Sequence, residues 1–522
     1  MMKRTIGLLT VLIFCTVTLA QAQEKEKTLS LSLEDCIAKA VENNLGVAVE
    51  VLKPELADIS VSFAKEKFLP NLSLDYGTSS RNQASFSWLE SADTTITDSS
   101  NYSANFTQNI PTGGNFSVLL SGSKFDTNQR LQSINPRYST QLRFNFNQPL
   151  LKNFGFKTSR REIVVAQNNR DISEINFKEA LQNTVYSVEE AYWNLVHSIE
   201  NLQVQRQSLQ LAQDFLERNR KSVEIGTMAP IEILSAQSEV ASRQADILDA
   251  EAAVKNNEDA LKTIINLAAE VGEEADLLKI IPTDKPVYEK KEITFDEALL
   301  TAMNNRPDLQ SMGINLRNNE INLGYAKNQL LPDLSLNASY WSPGVSGTRI
   351  VFDPYNPFGD PIGTVPGGAS DALKDTLGFK YKNWTIGLSL TIPFNTFFSR
   401  ANYAQARVNL DQAKLQLENQ EQQIYLEIKN TVRAVQTNYQ RVQARTVARE
   451  LEQRKLAAEE ERLKVGLSTN YIVLQFQRDL ATQQTQELRA VIDYNLSLAN
   501  LYRSLGITLK EKNITFTEIL GR

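Results

Sequence analysis

Residues 68–74 read Phe68-Leu69-Pro70-Asn71-Leu72-Ser73-Leu74, and residues 330–336 read Leu330-Leu331-Pro332-Asp333-Leu334-Ser335-Leu336. The two stretches lie 332 − 70 = 262 positions apart, and Ala64-Lys65 recurs as Ala326-Lys327 at the same offset. A repeat of this length is far longer than the 20 to 50 residues typical of solenoids and propellers. The sequence therefore predicts two fused copies of one large supersecondary unit.

A second landmark follows in each copy. Ile225-Gly226 recurs as Val465-Gly466, 466 − 226 = 240 positions later. We therefore divide the chain into a first structural repeat, 23–282, with short helices, strands at about 71–150 and a long helical hairpin at 158–270 whose tip is near 226. The second repeat, 283–522, has short helices, strands at about 333–394, a long helical hairpin at 399–507 with its tip near 466, and a C-terminal tail.

After Pro70 and Pro332 the apolar residues alternate with polar ones, and the segment 384–392 alternates most regularly. About ten alternating residues is the length that a tilted strand needs to cross an outer membrane. A half-buried sheet of a soluble protein shows the same alternation, so one strand alone does not decide. The first copy is about 22 residues longer than the second between these prolines and the hairpin glycines. We expect an added hairpin near Tyr102–Gly122, turning at Pro111-Thr112-Gly113-Gly114.

Two long segments, 160–223 and 400–464, contain neither proline nor glycine. At 1.5 Å per residue, about 60 helical residues would reach roughly 90 Å. Apolar residues recur at steps of three, four and seven, which is typical of a coiled-coil seam. The seam residues are Val185, Val188, Tyr192, Leu195, Ile199 and Leu202; Tyr425, Ile428, Val432, Val435, Tyr439 and Val442; and, on the returning helix, Ile233, Val240, Ile247, Val254 and Leu261.

The N-terminal residues indicate export. Lys3 and Arg4 precede an apolar run, 6–19, and Ala20-Gln21-Ala22 supplies the small residues that a signal peptidase reads, so we assign 1–22 to a signal peptide. Its removal takes away two positive charges and shifts the net charge from −6 to −6 − 2 = −8. The acidic balance argues against nucleic acid as a partner. Cys36 then remains as the one cysteine, which we interpret as a small apolar residue of an amphipathic helix.

No run of 18 apolar residues follows the signal peptide, so any membrane crossing would have to use strands. Each chain offers four strands, or six if the added hairpin joins them. Known membrane barrels start at about eight strands, and a lipid-exposed strand edge leaves backbone groups unsatisfied. We therefore expect a fold that is mostly α with a membrane β-barrel, completed by further copies of the chain.

The chain resembles the TolC family of outer-membrane efflux proteins over essentially its whole mature length. The resemblance rests on several short motifs that occur in a fixed order. They are Asn305-Arg306-Pro307-Asp308-Leu309, the Leu-Pro-x-Leu before each first strand, Gln148-Pro149-Leu150, Ile392-Pro393-Phe394, and Val465-Gly466 followed by Val473-Leu474. It implies a TolC-like trimeric α/β barrel of twelve strands in the outer membrane lipid. It also implies passive conduction, with docking to a periplasmic adaptor (membrane fusion) protein and an inner-membrane RND or ABC-type pump.

The resemblance also implies roles for particular residues. The hairpin tips Gly226, Thr227, Met228, Gly466, Leu467 and Ser468 correspond to the surface that meets the adaptor. Family members often carry aspartates just past the second tip, where this chain has Ile472 and Gln475. The polar residues left to line the periplasmic aperture are Glu232, Asn470 and Gln475, although an ordinary solvated carboxylate at a helix start is the more common explanation of Glu232. Tyr76, Tyr340, Trp341 and Trp384 are expected in the aromatic belt at the membrane interface.

The sequence contains no arrangement typical of an enzyme. His197 is the one histidine and has no cysteine companion for a metal site, and Gly113-Gly114 and Gly367-Gly368 are better explained as turns. No cofactor is expected. Two other classes remain: an exported trimeric coiled-coil scaffold or adhesin without conductance, and a self-contained porin. The sequence leaves the cargo and the pump class open.

Overall fold

The computed structural model describes residues 27–85, 93–130, 132–355 and 359–515, so the predicted signal peptide, 1–22, lies outside the described residues. The chain forms two compact units. One, here called the helical unit, comprises Met1–Lys53, Glu174–Gln310 and Asn419–Arg522; the other, the strand unit, comprises Pro54–Ser173 and Ser311–Glu418. Each unit therefore takes segments from both sequence repeats.

The main elements follow one another along the chain in a pattern that occurs twice. They are β1 (Lys27–Leu31), α1 (Leu33–Asn43), α2 (Leu45–Glu66), β2 (Asn71–Ala84), β3 (Thr94–Asn109), β4 (Asn115–Thr127), β5 (Ile134–Pro149), α3 (Arg161–Glu224), α4 (Ile231–Ile264), β6 (Leu278–Pro282), α5 (Phe295–Asn305), α6 (Pro307–Asn328), β7 (Asp333–Val351), β8 (Gly363–Val365), α7 (Ala369–Leu377), β9 (Asn383–Thr391), α8 (Phe397–Lys464) and α9 (Asn470–Leu505).

The helical unit has a core along the predicted seam. Val185, Val188, Tyr192 and Leu195 are at most 1% exposed, and Cys36 is fully buried among them, as the sequence predicted. On α8 the prediction holds for Ile428, Val432, Val435 and Val442, which are buried. Tyr425 is different, being 47% exposed.

A short parallel pair of strands, β1 with β6, was not predicted because its five-residue strands show too little periodicity.

The segment 45–53 is helical although it leads into Pro54, a residue that fits best at the start of a helix. The physical reason lies at Asn44, whose side-chain oxygen accepts the backbone N–H of Val47 at 3.1 Å and so caps α2. This cap favours helix at the start of the segment, and Pro54 is accommodated inside the helix.

Within the described residues, no helix combines the length and the apolar character needed to cross a membrane.

The same long-range contact occurs in both repeats. Asn44 Nδ2 donates to the carbonyl of Ile264 at 2.7 Å, and Arg306 Nη1 donates to the carbonyl of Ser504 at 3.2 Å. The donors differ by 306 − 44 = 262 positions and the acceptors by 504 − 264 = 240, the two offsets that the sequence motifs show. Each bond joins the end of a short helix to the end of the returning long helix, so both repeats are closed in the same way.

Arg306 also forms the centre of an ion cluster. Its Nε and Nη2 donate to the two carboxylate oxygens of Asp308 at 3.0 and 2.8 Å, and its Nη1 donates to Glu427 at 2.6 Å. Burial opposes the charged form of Asp308, but these bonds, with one from Gln420, more than offset it and lower the pKa of Asp308. The arginine of the Asn-Arg-Pro-Asp-Leu motif therefore ties α5, α8 and α9 together.

The strand unit contains a seven-stranded sheet in the order β2-β3-β4-β5-β7, with β9 and the short β8 both paired to β7. All neighbours are antiparallel. The added hairpin expected near 102–122 is β3 with β4, and it lies inside the sheet between β2 and β5. The first repeat thus supplies four strands where the second supplies two long ones.

We predict that Arg306→Ala lowers the free energy of unfolding by about 2 kcal/mol, because Asp308 and Glu427 lose their shared partner in a partly buried site. The measurement is the thermal midpoint of the detergent-purified protein. Arg206→Ala is the matched control, since its ion pair with Glu251 is exposed at the surface of the same unit and is worth less than about 1 kcal/mol. Equal effects of the two substitutions would contradict the role assigned to Arg306.

Candidate functional site

Both helical hairpins turn through the same backbone motif. At the first tip Gly226 has a φ of 76°, Gly226 N–H donates to the carbonyl of Val223 at 3.0 Å, and Thr227 N–H donates to that of Ser222 at 2.9 Å. At the second, Gly466 has a φ of 75°, and the same two bonds measure 3.0 and 2.9 Å. This is the Schellman arrangement, which needs a residue free to adopt positive φ. The glycines fix the tip geometry.

The structure brings two of the predicted aperture residues together. Asn470 Nδ2 lies 3.2 Å from Glu232 Oε2 and 3.1 Å from the sulfur of Met228. Asn470 is buried at 6% exposure, Glu232 is half-buried and Gln475 is exposed. Ile472, where the family often has an acid, is half-buried. Glu232 and Asn470 thus form one polar contact that joins the two hairpin tips.

An apolar cluster lies beside this contact and draws one or two side chains from each of the four long helices. Its buried members are Phe215, Ala236, Leu456, Val473 and Leu474. The second tip is fixed further by Glu459, which accepts from Ser468 and pairs with Arg462 at 3.1 Å. The hairpin ends are therefore packed and are not loose loops.

A buried carboxylate that sequence reasoning missed lies one helical turn from this cluster. Glu239 is 5% exposed, accepts from Arg243 Nε at 2.9 Å and pairs with Arg478 of the other hairpin. Burial opposes ionisation of Glu239, but the hydrogen bonds from Arg478 and the charge of Arg243 outweigh it and lower its pKa. The sequence offered one indication of this buried carboxylate, an acid and a base four residues apart on α4. Such pairs are also common on solvated helices.

The sheet of the strand unit has one apolar and one polar face. Cross-strand partners share a face, so the faces can be read from the register. The apolar face carries Leu72, Leu74 and Tyr76; Tyr102, Ala104 and Phe106; Phe116, Val118 and Leu120; Leu142, Phe144 and Phe146; Leu334, Leu336, Ala338 and Tyr340; and Trp384, Ile386, Leu388 and Leu390. The polar face carries mainly Ser, Thr, Asn, Asp and Gly.

Three of the four aromatic residues predicted for the interface, Tyr76, Tyr340 and Trp384, lie on the apolar face. Trp341 lies on the polar face, where the guanidinium of Arg143 is 4.9 Å from its ring centroid. Adjacent residues of a strand point to opposite faces, so Tyr340 and Trp341 could never share one. The aromatic residues thus divide between the two faces.

Helix α7 covers part of the apolar face where that face stops being apolar. Thr376 and Thr140 hydroxyls lie 2.6 Å apart, and Ser342 beneath the helix is fully buried. A Cβ on Gly344 would lie 2.1 Å from the carbonyl oxygen of Ala372, so only glycine permits this approach. Phe379, just after α7, stacks on Tyr340 with ring centroids 5.9 Å apart. The exposed apolar band of β5 and β7 therefore ends at α7.

His197 packs within the helical unit, and burial lowers its pKa. Across the described residues no group of three or more His, Cys, Asp or Glu side chains is arranged to hold a metal ion. The features with functional character are thus the two hairpin tips and the two faces of the sheet.

The sequence profile of the outer membrane efflux protein family matches residues 120–267 and 299–507. No curated protein matches the chain. Among solved structures, the Campylobacter jejuni outer membrane channel CmeC has a TM-score of 0.63 at 17% identity, covering 94% of both chains. The Neisseria gonorrhoeae outer membrane channel MtrE, solved in its open state, has a TM-score of 0.61 at 19% identity, covering 91% of this chain and 89% of that one. The fold is that of these TolC-like channels.

We predict that the stability of the hairpin tips depends on pH through Glu239. Its folded pKa is below the ordinary value of 4.5, so its stabilisation is fully present above that value and is lost as pH falls through the folded pKa. Glu239→Gln should speed amide hydrogen exchange in residues 470–482 at pH 7. It should also abolish the increase in exchange that the wild type shows when the pH is lowered, after correction for intrinsic exchange rates. Glu217→Gln, which changes an exposed carboxylate, serves as control. An unchanged acid response in Glu239→Gln would refute the prediction.

Proposed function

The chain belongs to the outer membrane efflux protein family, and we propose that three copies of it form the outer-membrane exit duct of a tripartite efflux or type I secretion system. In this role the duct conducts cargo passively from an inner-membrane pump through its helical part to the outside. The energy comes from the pump, and the duct itself catalyses no reaction. Export depends on the predicted signal peptide, 1–22.

One observation carries the proposal: within the apolar band one face of the sheet is apolar and the other is mainly polar, with Leu119 and Trp341 the large apolar side chains on the polar face. A sheet in the core of a soluble protein would bury its apolar face, whereas here Leu72, Leu74 and Leu388 are between 62% and 73% exposed. A face of this kind matches lipid, and the opposite face matches a water-filled lumen. A coiled-coil scaffold without conductance would have no use for such a sheet.

The sheet edges support assembly from several copies. β2 and β9 have no partner on their outer sides among the described residues, and both are exposed over nearly their whole length. In lipid each unpaired backbone group would cost several kcal/mol, so the edges must be paired. A second copy of the chain supplies a complementary edge, and the family resemblance implies three copies.

The aromatic residues support placement in a membrane. Tyr76, Tyr340 and Trp384 lie at the same border of the apolar band. It is the border at which α7 covers β5 and β7. Tyrosine and tryptophan favour the interface because each has an apolar ring and a polar group. We assign these three residues to one interfacial belt and Trp341 to the wall of the lumen.

The hairpin tips are the proposed docking surface for a periplasmic adaptor protein, itself bound to an inner-membrane RND or ABC-type pump. The tip residues are Gly226, Thr227, Met228, Gly466, Leu467 and Ser468. The side chains of Leu467 and of the flanking residues Ile225 and Val465 are 69% to 74% exposed, which gives both tips an apolar surface. Two exposed apolar tips of identical backbone geometry suit a partner that contacts both repeats alike.

We predict that the detergent-purified protein has the mass of a trimer and conducts ions in a planar bilayer. The polar face of the sheet would line the conducting path, so the conductance needs no added energy source. Native mass spectrometry and single-channel recording measure the two properties. A trimer that does not conduct would favour the scaffold function, and a conducting monomer would favour a self-contained porin.

We further predict that Glu232→Gln lowers the cation over anion permeability ratio of the channel by about twofold, because rings of carboxylates favour cations at narrow apertures. Asn470 and Gln475 lie at the same tip and carry no charge. The measurement is the reversal potential in a salt gradient. Glu217→Gln changes an exposed carboxylate on α3 that lies farther from the tip, and it should leave the permeability ratio unchanged. If both variants behave like the wild type, Glu232 does not line the aperture.

A further inference from the structure

We propose that the β3–β4 hairpin is part of the barrel wall, so that three chains close a barrel of eighteen strands. This is half again as many strands as the twelve that the family resemblance implies. The inference rests on the proposed trimeric duct but concerns its width, which grows roughly in proportion to the number of strands.

The hairpin is paired on both sides. β3 runs beside β2 from Thr94 to Thr107, and β4 runs beside β5 from Asn115 to Phe125. β2 and β5 therefore touch only through β3 and β4. The family profile begins to match at residue 120, inside β4, so β3 and the hairpin turn lie outside the matched residues.

The hairpin continues the apolar face of the sheet without interruption and most of the polar face, where Leu119 of β4 lies opposite Asn105 and Arg143. The row of paired residues that starts at Leu72 passes through Phe106 and Val118 to Phe144, all apolar. The neighbouring row, one residue earlier on β2, passes through Asn71, Thr107, Ser117 and Asn145, all polar. A one-residue slip would reverse the faces, so the hairpin has the register required of a wall between lipid and water.

The turn of the hairpin is built into the neighbouring strand. Thr112 donates its hydroxyl to Gln148 Oε1 at 2.7 Å, and its carbonyl accepts the N–H of Gly155 at 2.9 Å. Gly113 has a φ of 99° and lies close to Asn153. A Cβ added to Gly113 would lie 2.1 Å from the carbonyl oxygen of Asn153. Inside the hairpin the Tyr102 ring lies over Gly122 of β4, the kind of aromatic and glycine pair that pins a register.

The apolar band drifts across the sheet as expected for tilted strands. On β2 the centre of the band is Leu74. The row of paired residues that contains Leu74 crosses the sheet through Leu120 and Ser342. Extended to the last strand, this row would reach position 382, just before β9. The centre of the band on β9 is at 387, so the drift is 387 − 382 = 5 residues over five strand steps. One residue per step corresponds to a tilt of about 35°, the value found in membrane barrels.

Strand β4 of the hairpin follows the same drift. On β4 the apolar residues Phe116, Val118 and Leu120 centre two residues from the row of Leu74, as two strand steps require. Without β3 and β4, a drift of five residues would fall on only three steps, at a tilt of about 50°, steeper than membrane barrels adopt. The tilt of the sheet therefore depends on the hairpin being in the wall.

The edges of two copies then match in direction and in face. With six strands in the ring path, β9 runs antiparallel to the β2 of the next copy. Extending the drift by one more step places Leu388 of one copy opposite Leu74 of the next, and Ser389 opposite Ser73. Apolar residues meet apolar ones and hydroxyls meet hydroxyls, so the eighteen strands close with one lipid face and one lumen face.

The first experiment tests the closure between copies. The double variant Ser73→Cys/Ser389→Cys should form disulfide-linked trimers on oxidation, whereas Ser73→Cys/Thr385→Cys, about four residues out of register, should not. Cys36 gives no background, since it is fully buried and burial raises the pKa of its thiol to about 12. A conducting trimer in which the matched pair fails to cross-link would overturn the proposed edge pairing.

The second experiment tests the hairpin itself. Deletion of 86–127 should leave a twelve-stranded barrel whose outer mouth is narrower by about one third, measured as the largest polyethylene glycol that lowers the current when added on that side only. An unchanged polymer limit would overturn the proposal. Should the deletion variant fail to fold, cysteines in β4 decide. Ser121→Cys should react with a charged maleimide in the lumen and lose current, and Leu120→Cys should not; equal reactivity would overturn the proposal.

These results separate the two levels of the argument. Absence of a trimer or of conductance in the wild type would refute the proposed function. A conducting trimer with a twelve-strand polymer limit would leave that function intact and refute only the width.

Discussion

The structure depends on one constraint, that every backbone N–H and C=O in contact with lipid needs a hydrogen-bond partner. A single chain satisfies it inside its sheet but not at β2 and β9, where the edges stay open. In the proposed assembly, pairing these edges between copies satisfies the constraint and at the same time creates a lumen lined by the polar face. The proposed assembly, membrane insertion and conduction then follow from one requirement. The even number of strands makes the pairing antiparallel throughout.

The internal duplication supplies the second half of the design. Asn44 and Arg306 make equivalent bonds to Ile264 and Ser504, so each repeat joins its short helix to the end of its returning long helix. Arg306 adds the pairs with Asp308 and Glu427, which its counterpart Asn44 cannot form. The repeats are thus alike in backbone and different in charge. The tips show the same relation, with identical Schellman turns but different side-chain anchors at Thr227 and Ser468.

Much of the fold could be read from periodicity, because helices and strands bury residues at different spacings. The coiled-coil seam, the tip glycines and the existence of the added hairpin were all predictable. The place of the hairpin in the sheet was not, since pairing partners far apart in the chain leave no local pattern. The Glu239 network escaped for a similar reason, as Arg478 lies 239 positions away. Trp341 shows a third kind of difference, in which residue type suggested an interface but strand alternation placed the ring on the polar face.

The most direct test of the account is to count strands in a density map of the purified protein reconstituted in lipid nanodiscs. The account predicts one closed ring of eighteen antiparallel strands, with β9 of each chain beside β2 of the next. A ring of twelve strands, with β3 and β4 lying outside it, would contradict the claim that the edges and the hairpin together determine the pore.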